Sequence, residues 1–148
     1  MTTAAVQARI PISQTEASVA KAILIVEDET FVSQVTCDVL LGQGYSVLWA
    51  RNADEARKIF CRHSGQIAAM VCDAVLPDGS GFALAQACRR LSPALKLVVA
   101  SGYPPALLPN TFQDEPGTRF LTKPYSSATL MATVRNLFRD EAKCEQVA

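Results

Sequence analysis

The chain has one histidine, one tryptophan and no C-x-x-C pair among its five cysteines. The lone histidine, His63, leaves nothing to build a Ser/His/Asp or Cys/His constellation or a zinc site of the usual spacing. Between Arg62 and Ser64 it reads as a solvated helix end. Cys37, Cys61, Cys72, Cys88 and Cys144 are odd in number and scattered, as reduced thiols are, several of them small apolar core residues. Neither charge sign is in excess: 14 Lys plus Arg balance 14 Asp plus Glu. That balance argues against nucleic acid or an acidic lipid surface as partner. No apolar run approaches the roughly 20 residues of a membrane helix. No charged segment followed by an apolar stretch marks the N-terminus as a secretory signal. A cytoplasmic location, no DNA contact and no membrane contact are expected. Internal repeats and linkers are also missing.

What is present is one domain's worth of apolar sequence. The 148 residues are 49% hydrophobic, enough to bury about 70% of the surface an unfolded chain exposes. Residues 1–20 are rich in Thr, Ala, Ser and Gln without a sustained period and read as a flexible tail. A regular alternation then begins. Short β-rich runs lie at Ala22–Val26, Tyr45–Trp49, Ile67–Cys72, Leu95–Ala100 and Thr118–Thr122. Between them, Phe31, Val32, Val35, Val39 and Leu40 recur at helical spacing, and Asn52-Ala-Asp-Glu55 has the form of a capping box. Phe82, Ala85, Cys88 and Leu91 stripe a third helix, and Leu130, Met131, Val134, Leu137 and Phe138 a last one. Pro104, Pro105 and Pro109 crowd the place of a fourth helix, which is expected to be short or irregular.

Five strands alternating with helices, each strand a continuous apolar run, imply a parallel sheet covered on both faces. The expected architecture is an α/β, flavodoxin-like (βα)5 doubly wound sandwich with strand order 2-1-3-4-5. The expected boundaries are a tail over 1–20, the domain over 21–140 and a short C-terminal tail over 141–148.

The strands end on polar residues. The first stops at Glu27-Asp28-Glu29, the third at Asp73, the fourth at Ser101-Gly102 and the fifth at Lys123-Pro124. Ligands of open α/β sheets bind outside the carboxyl ends of the strands. Carboxylates gathered there repel, so a cation must compensate them or a pKa must rise. A hard divalent ion such as Mg2+ suits oxygen ligands of this kind. A carboxylate nucleophile, a metal, a fixed ammonium and a hydroxyl together suit phosphoryl transfer. Asp73 ends its strand in front of V-L-P-D-G-S-G, where Pro77 stiffens the loop and Gly79 and Gly81 permit its turn.

At these residues the sequence resembles the receiver domains of bacterial two-component response regulators. The resemblance covers about residues 21 to 140. It rests on I-L-I-V-E-D-E, V-C-D-A-V-L-P-D-G-S-G, the A-S-G after the fourth strand and F-L-T-K-P-Y. Each motif is weak alone; four in order at the correct strand ends are specific.

The resemblance implies that Asp73 accepts a phosphoryl group from a histidine kinase or histidine phosphotransfer protein. It implies that Asp28 binds Mg2+ directly, Glu27 mainly through water, and Asp73 and the Val75 carbonyl complete the set. Lys123 would contact Asp73 and then the phosphoryl group. Ser101 would turn inward to it, and Phe120 would follow as the switch aromatic. Such a domain catalyses its own phosphorylation and dephosphorylation rather than turning over a separate substrate. A downstream protein target is expected, with a monomer or a weak phosphorylation-dependent dimer.

The acidic pair is Glu-Asp rather than the family's Asp-Asp, a common variant that is expected to keep metal binding. Val75 and Tyr103 are bulky and apolar where fast-dephosphorylating receivers carry polar residues, and are expected to shield the acyl phosphate. The segment left after the last helix has no room for a DNA-binding domain, which favours a single-domain regulator, phosphate relay or sink. A receiver segment of a hybrid histidine kinase is the alternative, against which Met1 and the tail suggest a complete product. Two other classes are a degenerate, phosphorylation-independent receiver and a haloacid-dehalogenase-type phosphatase. The latter needs an aspartate where Val75 stands.

Overall fold

The structure, a computed structural model, describes residues 7–9, 22–103 and 115–147. The elements are β1 (Gln7–Arg9), β2 (Ala22–Val26), α1 (Thr30–Gly42), β3 (Ser46–Ala50), α2 (Ala53–Arg62), β4 (Ile67–Asp73), β5 (Val75–Leu76), β6 (Gly79–Ser80), α3 (Gly81–Leu91), β7 (Lys96–Ser101), β8 (Thr118–Thr122) and α4 (Ser127–Val147). Residues 104–114, where the irregular fourth helix is expected, lie outside the described residues.

The parallel strands stand in the order β3-β2-β4-β7-β8. Numbered among themselves this is 2-1-3-4-5, the expected flavodoxin-like order. The sheet is buried on both sides because successive strand residues feed two cores. Leu24, Val26, Met70 and Cys72 pack with Ala56, Ile59 and Phe60 of α2 and Leu84 of α3. Ile23, Ile25, Ala69 and Val71 pack with Cys37 and Leu40 of α1 and Leu130 and Val134 of α4. Cys37, Cys72 and Cys88 are buried and Cys61 is exposed. Burial raises the Cys72 thiol pKa and pushes Cys88 up to about 11, so both are core groups.

Two features differ from the sequence expectation. Gln7–Arg9, inside the expected tail, forms β1, paired antiparallel with β3 (Gln7 opposite Trp49, Arg9 opposite Val47). A three-residue strand carries no readable period; it forms because the outer edge of β3 offers unpaired backbone groups. At the other end, α4 runs on to Val147 through the expected tail. Glu141-Ala-Lys-Cys-Glu-Gln146 contains good helix formers and neither Gly nor Pro, so nothing stops the helix. In α1, the sheet-facing residues are Ser33, Thr36, Cys37 and Leu40, while Phe31 and Val35 are exposed. Phe31, Val32, Val35 and Val39 line, with Tyr125 and Leu130, a groove of about 470 Å³ between α1 and α4.

Candidate functional site

The C-terminal edge of the sheet collects the expected residues. Glu27 and Asp28 follow β2, Asp73 is the last residue of β4, Ser101 the last of β7, and Lys123 follows β8. The register puts β4 at the centre of the sheet: Asp73 pairs with Ala100, and Ser101 with Thr122. The Asp73 end is fixed by backbone bonds on both sides. The Ala74 amide donates to Ala100 O at 2.8 Å, and the Gly81 amide to Ala74 O at 2.8 Å.

Glu27, Asp28 and Asp73 each place a carboxylate oxygen within 4.8 Å of the others. Glu27 is buried, Asp73 half-buried and Asp28 exposed, so the cluster opens to solvent on the Asp28 side. The facing cation is Lys123, whose Nζ lies 2.7 Å from Asp73 Oδ2 and 3.7 Å from Glu27 Oε1. One ammonium against three carboxylates leaves the pocket negative. The Glu29 amide, at the N-cap of α1, donates to Glu27 Oε2 at 3.1 Å, and the positive end of that helix adds to the effect. Burial nevertheless holds the Glu27 carboxyl above the usual carboxylate range; the Glu29 amide and Lys123 offset this only in part. Burial works against the charge on Lys123, but its hydrogen bond to Asp73 and the nearby Glu27 and Asp73 charges outweigh it, and its pKa is raised. The ammonium is therefore fixed. All-oxygen donors, excess negative charge and an open side fit a hard divalent cation such as Mg2+.

The remaining expected residues surround this centre. The Ser101 hydroxyl is buried and accepts from the Tyr103 amide at 3.0 Å. The Lys123 amide donates to Ser101 O at 2.8 Å, tying the two strand ends. Phe120 is half-buried, packed on the α2/α3-side core with Phe82, opposite Val99 in the ladder. Val75, at the start of β5, and Tyr103, just beyond β7, stand exposed at 70% and 64%. The Val75 amide approaches Asp73 Oδ1 at 3.4 Å.

Several contributors carry no local sequence signal. The Trp49 indole donates to the Glu27 carbonyl at 2.8 Å. Thr36 of α1 hydrogen-bonds the Tyr125 hydroxyl, and both line the pocket floor with Glu27 and Asp73. Burial raises the Tyr125 phenol. Asp78, at the tip of the β5–β6 hairpin, accepts from the Ala53 and Asp54 amides at 2.8 and 3.0 Å, pinning the loop after Asp73 to the start of α2. Gly79 has a left-handed φ of +152°, and Gly81 lies so close to Asp73 that a Cβ would sit 1.9 Å from its carbonyl oxygen. The Asn52 side chain caps α2 through the Glu55 amide at 2.8 Å; Glu55 reaches back to the Arg51 amide, one residue earlier than a capping box requires.

A pocket of three carboxylates and a lysine at the carboxyl edge of a 2-1-3-4-5 parallel sheet defines a class: receiver domains of two-component signalling. The sequence profile of the response regulator receiver domain matches residues 23–135. The chain belongs to that family. It is 29% identical over 127 residues to the sensor kinase CckA of Brucella abortus, covering 86% of this chain and 13% of that one. It is 30% identical over 119 residues to the response regulator RppA of Synechocystis, covering 79% and 50%. The chain thus spans half or less of the length of these curated relatives. Among solved structures, the receiver domain of the hybrid histidine kinase CckA is similar at 31% identity and a TM-score of 0.67, over 78% of this chain and 97% of that one. A CheY-like receiver from Methanospirillum hungatei has 27% identity and a TM-score of 0.72, over 84% and 98%. The regulator TrrA of Thermotoga maritima, solved with Mg2+ and beryllium fluoride, has 25% identity and a TM-score of 0.68, over 79% and 98%. No helix among the described residues is long and apolar enough to cross a membrane.

Proposed function

We propose that this domain accepts a phosphoryl group on Asp73 from a histidine kinase or histidine phosphotransfer protein and switches a protein-binding face in the cytoplasm. The observation that carries the reading is the Lys123 ammonium 2.7 Å from Asp73 Oδ2, at the mouth of the three-carboxylate cluster. In the transfer, a carboxylate oxygen of Asp73 attacks phosphorus while the bond from phosphorus to the donor nitrogen breaks. The product is an acyl phosphate and a neutral donor imidazole after proton uptake. Glu27, Asp28, Asp73 and the Val75 carbonyl would hold Mg2+, which supplies charge neutralisation at the transferring oxygens. Lys123 binds the phosphoryl oxygens once its bond to Asp73 is exchanged. Ser101, held at Tyr103 N in this structure, turns its hydroxyl to the phosphoryl group, and Phe120 moves inward with it.

The donor's access follows from the groove between α1 and α4. It ends at Lys123, and Phe31 and Val35 line it, exposed at 77% and 41%. A donor helix laid in it brings a phosphohistidine to Asp73, and the likeness to the CckA receiver suits a donor of that kind. Val75 and Tyr103, exposed on the chain just after Asp73 and Ser101, slow attack by water on the acyl phosphate.

Beryllium fluoride, a phosphoryl mimic, tests the reading. It should bind only with Mg2+ and shift amide resonances at Ser101 and Phe120, and D73N should abolish the shift. Binding by folded D73N, or none by the wild type, contradicts the assignment.

A further inference from the structure

Two sets of contacts converge on Trp49 that the phosphoryl chemistry leaves unexplained. Its indole holds the Glu27 carbonyl, and so the peptide plane that leads into Asp28. Its backbone is a rung between two strands, with Gln7 of β1 on one side and Ile25 of β2 on the other. Trp49 is 5% exposed, with the Arg51 guanidinium 5.4 Å from its ring centroid. A hydrogen bond so shielded from water is strong, and its carbonyl is costly to leave unpaired. β1 is the weakest part of this arrangement: three residues on a sheet edge, in the class of pairing that opens locally at low free energy.

We propose that β1 is a positioning element for the acidic pocket and acts through Trp49. With β1 paired, the end of β3 is clamped on both sides and the indole is aimed at Glu27 O. With β1 released, the clamp is one-sided, the Glu27–Asp28 peptide gains freedom and the cation is held less tightly. Anything that captures residues 7–9, or takes their place along β3, is thereby felt at the pocket. This coupling rests on the magnesium reading above.

The test uses two full-length variants. W49F removes the donor and keeps a ring. A8P/R9P breaks the β1 ladder: successive strand amides point to opposite sides, so one of the two directs its N–H at β3, and proline removes it. Magnesium affinity is measured by calorimetry and the fold by thermal unfolding. The wild type should bind, and both variants should stay folded and bind about fivefold more weakly, roughly 1 kcal/mol at ~1.4 kcal/mol per tenfold. Combining them should weaken binding no further than W49F alone, because both act on one hydrogen bond. The sole indole N–H resonance of the wild type should move as Mg2+ is added, and A8P/R9P should displace it before any Mg2+ is present. If W49F fails to fold, that resonance in A8P/R9P carries the test. Unchanged affinity in A8P/R9P overturns the coupling, and additive losses overturn the route through Trp49. No Mg2+ binding by the wild type overturns the magnesium reading and the coupling with it.

Discussion

Replacing Gly81 with alanine should damage both stability and chemistry, and the structure says by how much. Gly81 opens α3, and its amide bonds Ala74 O at 2.8 Å. A Cβ there would lie 1.9 Å from the Asp73 carbonyl oxygen and 2.9 Å from its carbon. Contacts of this kind do not fall below 3.0 Å, and backbone cannot rotate away as a flexible side chain can. The start of α3 and the end of β4 must therefore separate by about 1 Å at Asp73. Overpacking of this kind costs about 2–3 kcal/mol, which lowers Tm by roughly 6–10 °C for a chain of this size. A reacting group displaced by about 1 Å loses on the order of a hundredfold in rate. The assay pairs urea unfolding with the rate of phosphorylation by a small acyl-phosphate donor. Gly65, with open space around it and no left-handed φ, is the control, and G65A should stay within about 0.5 kcal/mol of wild type. A G81A protein as stable and as fast as the G65A control would refute the steric reasoning.

Other expectations concern single contacts. Arg89 donates to Leu95 O, Gly117 O, Glu115 Oε2 and Thr118 Oγ1, fastening α3 to the start of β8 at the end of the sheet away from the pocket. R89M should lose roughly 3 kcal/mol in urea unfolding while remaining phosphorylatable; a loss within error would show the clamp to be idle. Asp78 is held below its ordinary value of 3.8 chiefly by the Ala53 amide, so its folded form contributes stability above that pH and loses it as pH falls through the depressed value. The stability difference between wild type and D78N should shrink on acidification below 3.8; a difference constant with pH contradicts this assignment. F31D should slow transfer from a cognate histidine donor by about tenfold or more and leave loading by a small donor unchanged. Equal slowing of both would place Phe31 in the chemistry rather than in docking. V75N should speed loss of phosphate, followed by the decay of the phosphorylated mass, and an unchanged decay rate would remove the shielding role.

The sequence displayed what is repeated or local. Apolar runs that stop on the polar residues Glu27, Asp73, Ser101 and Lys123 announce strands and the edge they share, because ligands of parallel sheets are met at the carboxyl ends of the strands. Contacts between distant residues leave no such trace. Trp49 reads as a core aromatic until its indole is seen on Glu27, 22 residues away. Asp78 reads as a turn residue until its carboxylate is seen capping α2, 25 residues back. For α1 the spacing shows a helix but not which of its apolar residues meet the sheet. Its sheet-facing side is made of Ser33, Thr36, Cys37 and Leu40, where close approach favours small groups. The larger residues Phe31 and Val35 are left for the groove. β1 is too short to show a period, and α4 outruns its apolar stripe because polar helix formers continue it.

The central claim is that Asp73 is a phosphoryl acceptor that needs a divalent ion. Intact mass after incubation with a small acyl-phosphate donor tests it, with and without Mg2+, for wild type and D73N. The wild type should gain one phosphoryl group with Mg2+ only, and D73N none. A folded wild type that gains nothing, or a D73N protein that gains as much, contradicts it.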